Sequence, residues 1–187
     1  YNERIKINGI EIDDESLLET FEMIDEVRGD TTLTYFEFAT LSAFYLFSKS
    51  NLDMAVLEVG LGGRLDATNI VDSDISIITS IGIDHTEFLG NTIDSIALEK
   101  AGVMRPFKTC IYAQEKPPAA LLKYAKNKSV NLLIHNNDYQ VSLGSSNWSL
   151  KCKNNSINQI PNLKMIGDYQ YNYAAASLLA LDVILPE

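Results

Sequence analysis

Apolar positions along the chain change rhythm several times. Ile5, Ile7, Ile10 and Ile12 recur among polar residues, which predicts a short strand or hairpin arm over residues 4–12. Asp13-Asp14 can cap a helix over about residues 15–27, with Leu17, Leu18, Phe21 and Ile24 on one side and Gly29-Asp30 closing it. A second helix is predicted over about residues 35–47, where dense aromatic and aliphatic content implies burial on more than one face. The pattern then shifts to short continuous apolar runs at residues 53–59, 75–81, Thr109–Tyr112 and 132–134. Runs apolar on both sides suit interior strands of a parallel sheet. Helical stretches fall between them, at residues 92–101 and at 117–128 with Pro117 near the first turn. The alternation predicts an α/β domain with a doubly wound, mostly parallel sheet.

Beyond Asp138 the text changes again. Tyr139–Leu143 and residues 147–153 alternate around Gly144-Ser145-Ser146, which predicts a small antiparallel hairpin. Residues 154–162 read as a polar loop, and an Ala- and Leu-rich helix follows over about 168–181, with Pro186 marking a helix end. There is no internal repeat.

Composition narrows the functional classes. Of 187 residues, 46% are hydrophobic and 21% charged, as in an ordinary globular domain, and the net charge is −10. That charge offers no general attraction to nucleic-acid phosphates or to anionic membrane surfaces. No apolar run approaches the ~20 residues of a membrane helix. An anionic small molecule has to be held by local donors or a metal ion. Two cysteines, Cys110 and Cys152, make no disulfide framework, and Cys110 reads as a buried thiol. Tyr1-Asn2-Glu3-Arg4 carries no signal pattern and no initiating Met, so a natural start is not expected at position 1.

Four segments carry candidate chemistry. In Leu57-Glu58-Val59-Gly60-Leu61-Gly62-Gly63-Arg64-Leu65-Asp66-Ala67-Thr68-Asn69, Glu58 ends an apolar run, where ligands bind in open α/β sheets, and the glycines let the backbone approach a ligand. A plain Gly-rich turn with Glu58 paired to Arg64 explains the same letters. A dinucleotide fingerprint does not: the third glycine position holds Leu65, residues 64–74 are too few for a crossover helix, and Glu58 would repel a pyrophosphate. Asp84 nevertheless falls near where a ribose-binding acid would lie. The second segment, Ser80 to Gly90, places His85 between acids after another apolar run; it suits a metal ligand or a satisfied surface histidine. Glu58 and His85, both at strand ends, could hold a hard cation such as Mg²⁺ with water and phosphate oxygens. In Ala97 to Arg105 the local reading is a helix end with Gly102 as its cap. Thr34 and Glu37, three apart before an apolar run, read as a capping box.

Together these segments resemble the folylpolyglutamate synthase/dihydrofolate synthase family of the Mur ligase superfamily. The matching text is Tyr1 to Ile5, Arg28-Gly29-Asp30 with Leu33 to Glu37, Leu57 to Asn69, Thr79 to Gly90 and Glu99 to Gly102, with Asn172 and Ala174-Ala175-Ala176 matching more loosely. The resemblance implies a P-loop-type, three-layer central domain, incomplete at its N-terminus, over residues 1–187. It implies Mg²⁺ held by Glu58 and His85, and Lys100 carbamylated by CO₂ to N-carboxylysine, these three being the catalytic set. An unmodified ammonium would oppose the metal, whereas the carbamate would help bind it. It implies that Thr34, Tyr35, Phe36, Glu37, Leu65, Asp66 and Ala67 line a pterin-substrate site and that Asn172 contacts ATP. The implied reaction passes the γ-phosphoryl group of ATP to a carboxylate of dihydropteroate or tetrahydrofolate. L-Glutamate then attacks the acyl phosphate through its amine. A cytoplasmic, monomeric parent enzyme is implied.

One departure stands out. No G-x-x-G-K-[ST] stretch occurs in this sequence. In the family it precedes the Tyr-Asn-Glu-Arg segment, with a serine metal ligand, and a second α/β domain follows the region matched here. The chain is therefore expected to be a fragment, inactive by itself, with little ATP affinity and, for want of a neighbouring strand, poor solubility. The competing functions are a catalytically silent nucleotide-binding module of the same fold and, on weaker grounds, a dinucleotide oxidoreductase. The residues encoded immediately upstream separate the ligase from the silent module.

Overall fold

The computed structural model describes residues 1–153 and 155–185. They form two compact units, residues 1–61 with 66–70, and residues 62–65 with 71 onward.

In the first unit, β1 (Lys6–Ile7) and β2 (Ile10–Glu11) pair antiparallel through Asn8-Gly9, both at positive φ, as a two-residue hairpin turn requires. Helix α1 (Asp14–Arg28) begins at Asp13, whose carboxylate accepts the Ser16 N–H at 2.7 Å, and stops at Gly29, φ 53°. Helix α2 (Tyr35–Lys49) starts on the expected capping box: Thr34 Oγ1 accepts the Glu37 N–H, and Glu37 Oε2 accepts the Thr34 N–H at 2.7 Å. Ile5, Ile12 and Leu17 form the core with Phe21, Ala43, Leu46 and Phe47. Ile10 (74% exposed) and Leu18, expected to follow their apolar neighbours inward, face solvent instead.

The second unit is a three-layer α/β sandwich. Strands β3 (Ile75–Ile78), β4 (Thr109–Tyr112) and β5 (Asn131–Ile134) form a parallel sheet in the order β3-β4-β5. Cys110 and Tyr112 pack with Ala97, Ala101, Leu121 and Ala125 of α4 (Ile93–Ala101) and α5 (Ala119–Asn127). Ile111 faces the opposite way, into Trp148, Leu150, Ala175, Ala176 and Leu179. Burial on both faces is the reason β4 reads as an uninterrupted apolar run. The second layer of cover comes from α6 (Tyr169–Ile184) and an antiparallel sheet, β6 (Tyr139–Leu143), β7 (Asn147–Cys152) and β8 (Ser156–Pro161). A short helix, α3 (Thr86–Leu89), follows β3. Among the described residues, no helix is long and apolar enough to cross a membrane.

Two expectations need correction. Residues 53–59 are not a strand: they make no ladder among the described residues, and Val56 is 85% exposed. An apolar run becomes a strand only where a partner completes its hydrogen bonds. The polar loop expected at 154–162 is instead largely β8, pairing with β7 from Asn147↔Pro161 to Lys151↔Ser156. An edge strand tolerates polar side chains and a terminal proline, so its sequence lacks an apolar signature. Asn154 and the helix end assigned to Pro186 lie outside the described residues.

Candidate active site

Within the first unit, three parts of the expected pterin site meet. The glycine loop opens at Gly60, which lies so close to the Phe36 ring that an added Cβ would stand 3.0 Å from its Cζ. Asp66 accepts the N–H groups of Gly60 at 2.9 Å and Leu61 at 3.2 Å through Oδ2, and the backbone N–H and the hydroxyl O–H of Thr68 through Oδ1. A half-buried carboxylate with four donors fixes the turn on which Ala67 begins a 3-10 segment, Ala67–Ile70, packed against α2. Phe36 and Asp66 are thus brought to one place. Tyr35 lies apart, half-exposed, its ring 4.3 Å from that of Tyr1 and 5.6 Å from the Arg4 guanidinium carbon. Glu37 is engaged by Thr34, whose backbone N–H and hydroxyl hold the carboxyl below its ordinary range. Glu58 is exposed on the unpaired segment of this unit.

Within the second unit, the rest of the glycine loop is fastened to α4. The Arg64 N–H donates to the Glu99 carbonyl at 2.8 Å, and Arg64 Nη2 stands 3.0 Å from Glu99 Oε1. Gly63 is buried at φ 156°, and a Cβ there would meet the Glu99 carbonyl oxygen at 2.9 Å and that of Lys100 at 3.2 Å. Gly102 has an ordinary right-handed backbone, φ −59° and ψ −16°. Gly102 caps α4 as expected, its N–H donating to the Glu99 carbonyl, but positive φ is not the reason for glycine; a Cβ would lie 2.3 Å from Arg64 Cα. Lys100 occupies the last turn of α4 and is half-buried, while Leu65, next to Arg64, is 80% exposed.

His85 follows β3 at the carboxyl end of the sheet, on a stretch tied down where Ile81 N–H donates to Gln114 Oε1 at 3.1 Å. Its backbone is left-handed, φ 49° and ψ 42°, a conformation that costs a non-glycine residue about 1–3 kcal/mol. The Asp84 carboxylate accepts the His85 N–H at 2.7 Å, and the ring is exposed with Nε2 3.6 Å from Asp84 Oδ2. Asn172 is half-buried in the first turn of α6.

Residues 5–181 match the Mur ligase middle domain. The chain belongs to the Mur ligase middle domain family. The dihydrofolate synthase/folylpolyglutamate synthase of Escherichia coli strain K12 is 40% identical to this Mur ligase domain over 161 residues, covering 86% of the chain and 38% of that relative. The structure of Escherichia coli FolC in complex with DHPP and ADP is similar with a TM-score of 0.93 and 39% identity, over 100% of this chain and 44% of that one. The Yersinia pestis bifunctional folylpolyglutamate synthase/dihydrofolate synthase complexed with AMPPNP and Mn ion gives 0.91 and 39%, over 100% and 44%. The Mur ligase domain described here thus spans about two-fifths of the length of these relatives.

Each donor taken by itself suits a divalent cation in kind. In the first unit Glu58 offers carboxylate oxygens; in the second His85 offers an exposed imidazole nitrogen, and a carbamate on Lys100 would add oxygens. Among the described residues, no group of three or more His, Cys, Asp and Glu is placed to hold a metal ion. The Arg64–Glu99 pair was not singled out from sequence: Arg64 entered only as a bland partner for Glu58, and Glu99 only as part of a helix end. Their pairing spans 35 positions, and the one signal for it is an arginine inside the glycine loop.

Proposed function

We propose that this Mur ligase domain is part of a longer, cytoplasmic ATP-dependent amide ligase that adds L-glutamate to dihydropteroate, to folate polyglutamate tails, or to both. One observation carries the reading: the glycine-rich loop and the Lys100 turn are built as a single interlocked piece, with the Gly63 backbone against the carbonyls of Glu99 and Lys100. A silent module has no evident need to keep Glu58, His85 and Lys100 together. The names and ligands of the relatives, ATP analogues, a divalent metal and DHPP, agree with it.

In this reading the chain's own residues prepare the site. Phe36, Asp66 and Ala67 offer one apolar face and one carboxylate-organised turn to the pterin acid, with Thr34, Tyr35, Glu37 and Leu65 as further contacts. Glu58 of the first unit and His85 of the second would each offer a donor to Mg²⁺, which would supply charge neutralisation for phosphoryl transfer. The Lys100 ammonium first gives up one proton; its neutral Nζ then attacks CO₂, forming the N–C bond and releasing a second proton to solvent, so that a cation becomes a carbamate anion whose oxygens would suit Mg²⁺. Asn172 contacts the nucleotide. The test is glutamate-dependent ADP release by the full-length protein carrying this sequence, with dihydropteroate as acceptor, in the wild type and in Lys100→Ala. A fall in kcat of about 10²-fold or more, with the folded state intact, is expected. Unchanged kcat refutes the carbamate role, and absence of release in the wild type refutes the ligase.

A further inference from the structure

We infer that Arg64 and Glu99 are positioning residues that set Leu65 and Lys100 relative to each other by clamping the glycine loop onto the last turn of α4. The inference rests on the ligase reading and adds to it two residues with no assigned role. The clamp has a main-chain part and a side-chain part. The main-chain part is the Arg64 N–H on the Glu99 carbonyl at 2.8 Å, an acceptor that the Gly102 N–H also uses at 3.2 Å. The side-chain part is the guanidinium on the Glu99 carboxylate, with Nε at 3.1 and 3.2 Å from its two oxygens and Nη2 at 3.0 Å from Oε1. Glycines at 62, 63 and 102 permit this approach: added Cβ atoms would stand 2.7 Å from Leu89 Cδ2, 2.9 Å from the Glu99 carbonyl oxygen and 2.3 Å from Arg64 Cα.

The placement has a chemical consequence. Neighbours on a helix point roughly 100° apart, so holding Glu99 fixes the rotation of the turn without covering Lys100. Arg64 also neutralises the carboxylate nearest in sequence to Lys100, which would otherwise compete as an anion for the lysine. On the loop side, the residue following Arg64 is the exposed Leu65. A planar fork on a carboxylate fixes both distance and orientation, which a point charge cannot do.

The experiment compares Glu99→Gln, Arg64→Lys and the double variant in the full-length protein, with Lys108→Ala as control because Lys108 pairs with Asp74 at 2.9 Å outside the clamp. Glu99→Gln keeps the main-chain acceptor, so the fold is retained while the ion pair is lost. Expected results are a rise of about tenfold in KM for dihydropteroate and a comparable fall in kcat, because misplacement of about 1 Å is costly in an aligned site. KM for ATP stays unchanged, Lys108→Ala behaves as wild type, and the double variant is no worse than the worse single one. A purely structural pair reduces the folded fraction and leaves both KM values alone. The inference is overturned if KM for dihydropteroate and kcat stay within about twofold of wild type while Lys100→Ala is inactive. It is equally overturned if the variants lose folded protein but the folded remainder keeps wild-type KM values. A wild type that releases no ADP with glutamate removes the ligase reading itself, and the clamp with it.

Discussion

Replacing Gly102 by Ala separates two ways of reading a glycine. Its φ of −59° and ψ of −16° suit any residue, so backbone reasoning alone expects Ala to stabilise by about 0.4–1 kcal/mol through the unfolded chain. The surroundings say the opposite. The new Cβ would meet Arg64 Cα at 2.3 Å, Arg64 Cβ at 2.4 Å and Arg64 N at 2.8 Å. Carbon atoms rest about 3.5–4.0 Å apart, and backbone atoms cannot swing aside. The loop must retreat by about 1 Å, at an overpacking cost of about 1–3 kcal/mol. Retreat also weakens the Arg64 N–H bond to Glu99, about 0.5–1.5 kcal/mol, and a solvent-screened ion pair of at most about 1 kcal/mol.

The net expectation is destabilisation by about 2–4 kcal/mol, a midpoint in urea lower by about 1–2 M at unchanged slope, read by circular dichroism. Gly82→Ala is the control: nothing stands within 4 Å of its added Cβ, and its stability is expected to change by less than about 0.5 kcal/mol. A Gly102→Ala protein as stable as wild type, or more so, refutes the close-approach argument.

Three further outcomes are expected. His135 is 6% exposed, with neither ring nitrogen hydrogen-bonded, and burial pushes its pKa below 6.5 against the opposing pull of Glu115. Because the folded pKa is the lower one, the unfolded chain takes up the proton first, so stability stands above about pH 6.5 and is lost as pH falls below it; His135→Phe should flatten the slope of urea midpoint between pH 7 and 5, and an unchanged slope contradicts the assignment. Thr34→Ala should cost about 1 kcal/mol of thermal stability and Thr34→Ser far less, since only Ala removes the cap on α2; equal melting temperatures count against it. Cys110 is fully buried with its thiol pushed up to about 11, so iodoacetamide should label it only on unfolding while half-buried Cys152 reacts first; mass spectrometry of the native protein would reveal the reverse order.

Signals that are local in the chain were legible in advance. The capping box at Thr34 and Glu37 needs only four residues, and β4 announces itself because Cys110, Ile111 and Tyr112 are all buried. The hairpin of β6 and β7 follows from alternation around Gly144-Ser145-Ser146. Residues 53–59 carry the same apolar signal as β4 yet form no ladder, because pairing is a property of a neighbour and not of the run. Strand β8 shows the converse, pairing without an apolar pattern. In the candidate site, Phe36 and Asp66 were named and do converge on Gly60. That Asp66 spends its oxygens on Gly60, Leu61 and Thr68 was not readable, since donors two to six residues away leave no periodic trace.

The glycines mark where the first reading of the loop must change. Their spacing suggested a backbone bared for a ligand, but the close approaches at Gly60, Gly62 and Gly63 are to Phe36, Leu89 and the Glu99 carbonyl, all parts of the protein itself. Gly102 reciprocates from the other side. Small residues here permit the loop to seat against its own scaffold, and seating is a precondition for function rather than a ligand contact. Ligand-facing chemistry must then come from side chains the loop presents outward, of which Leu65 is the most exposed, and from the carboxylate of Glu58 before it. A glycine-to-alanine scan and a scan of Glu58 and Leu65 should therefore fail in different ways. The first should lower stability and, where the loop is displaced from α4, raise KM for dihydropteroate as loss of the clamp does, whereas the second should alter KM or kcat at unchanged stability.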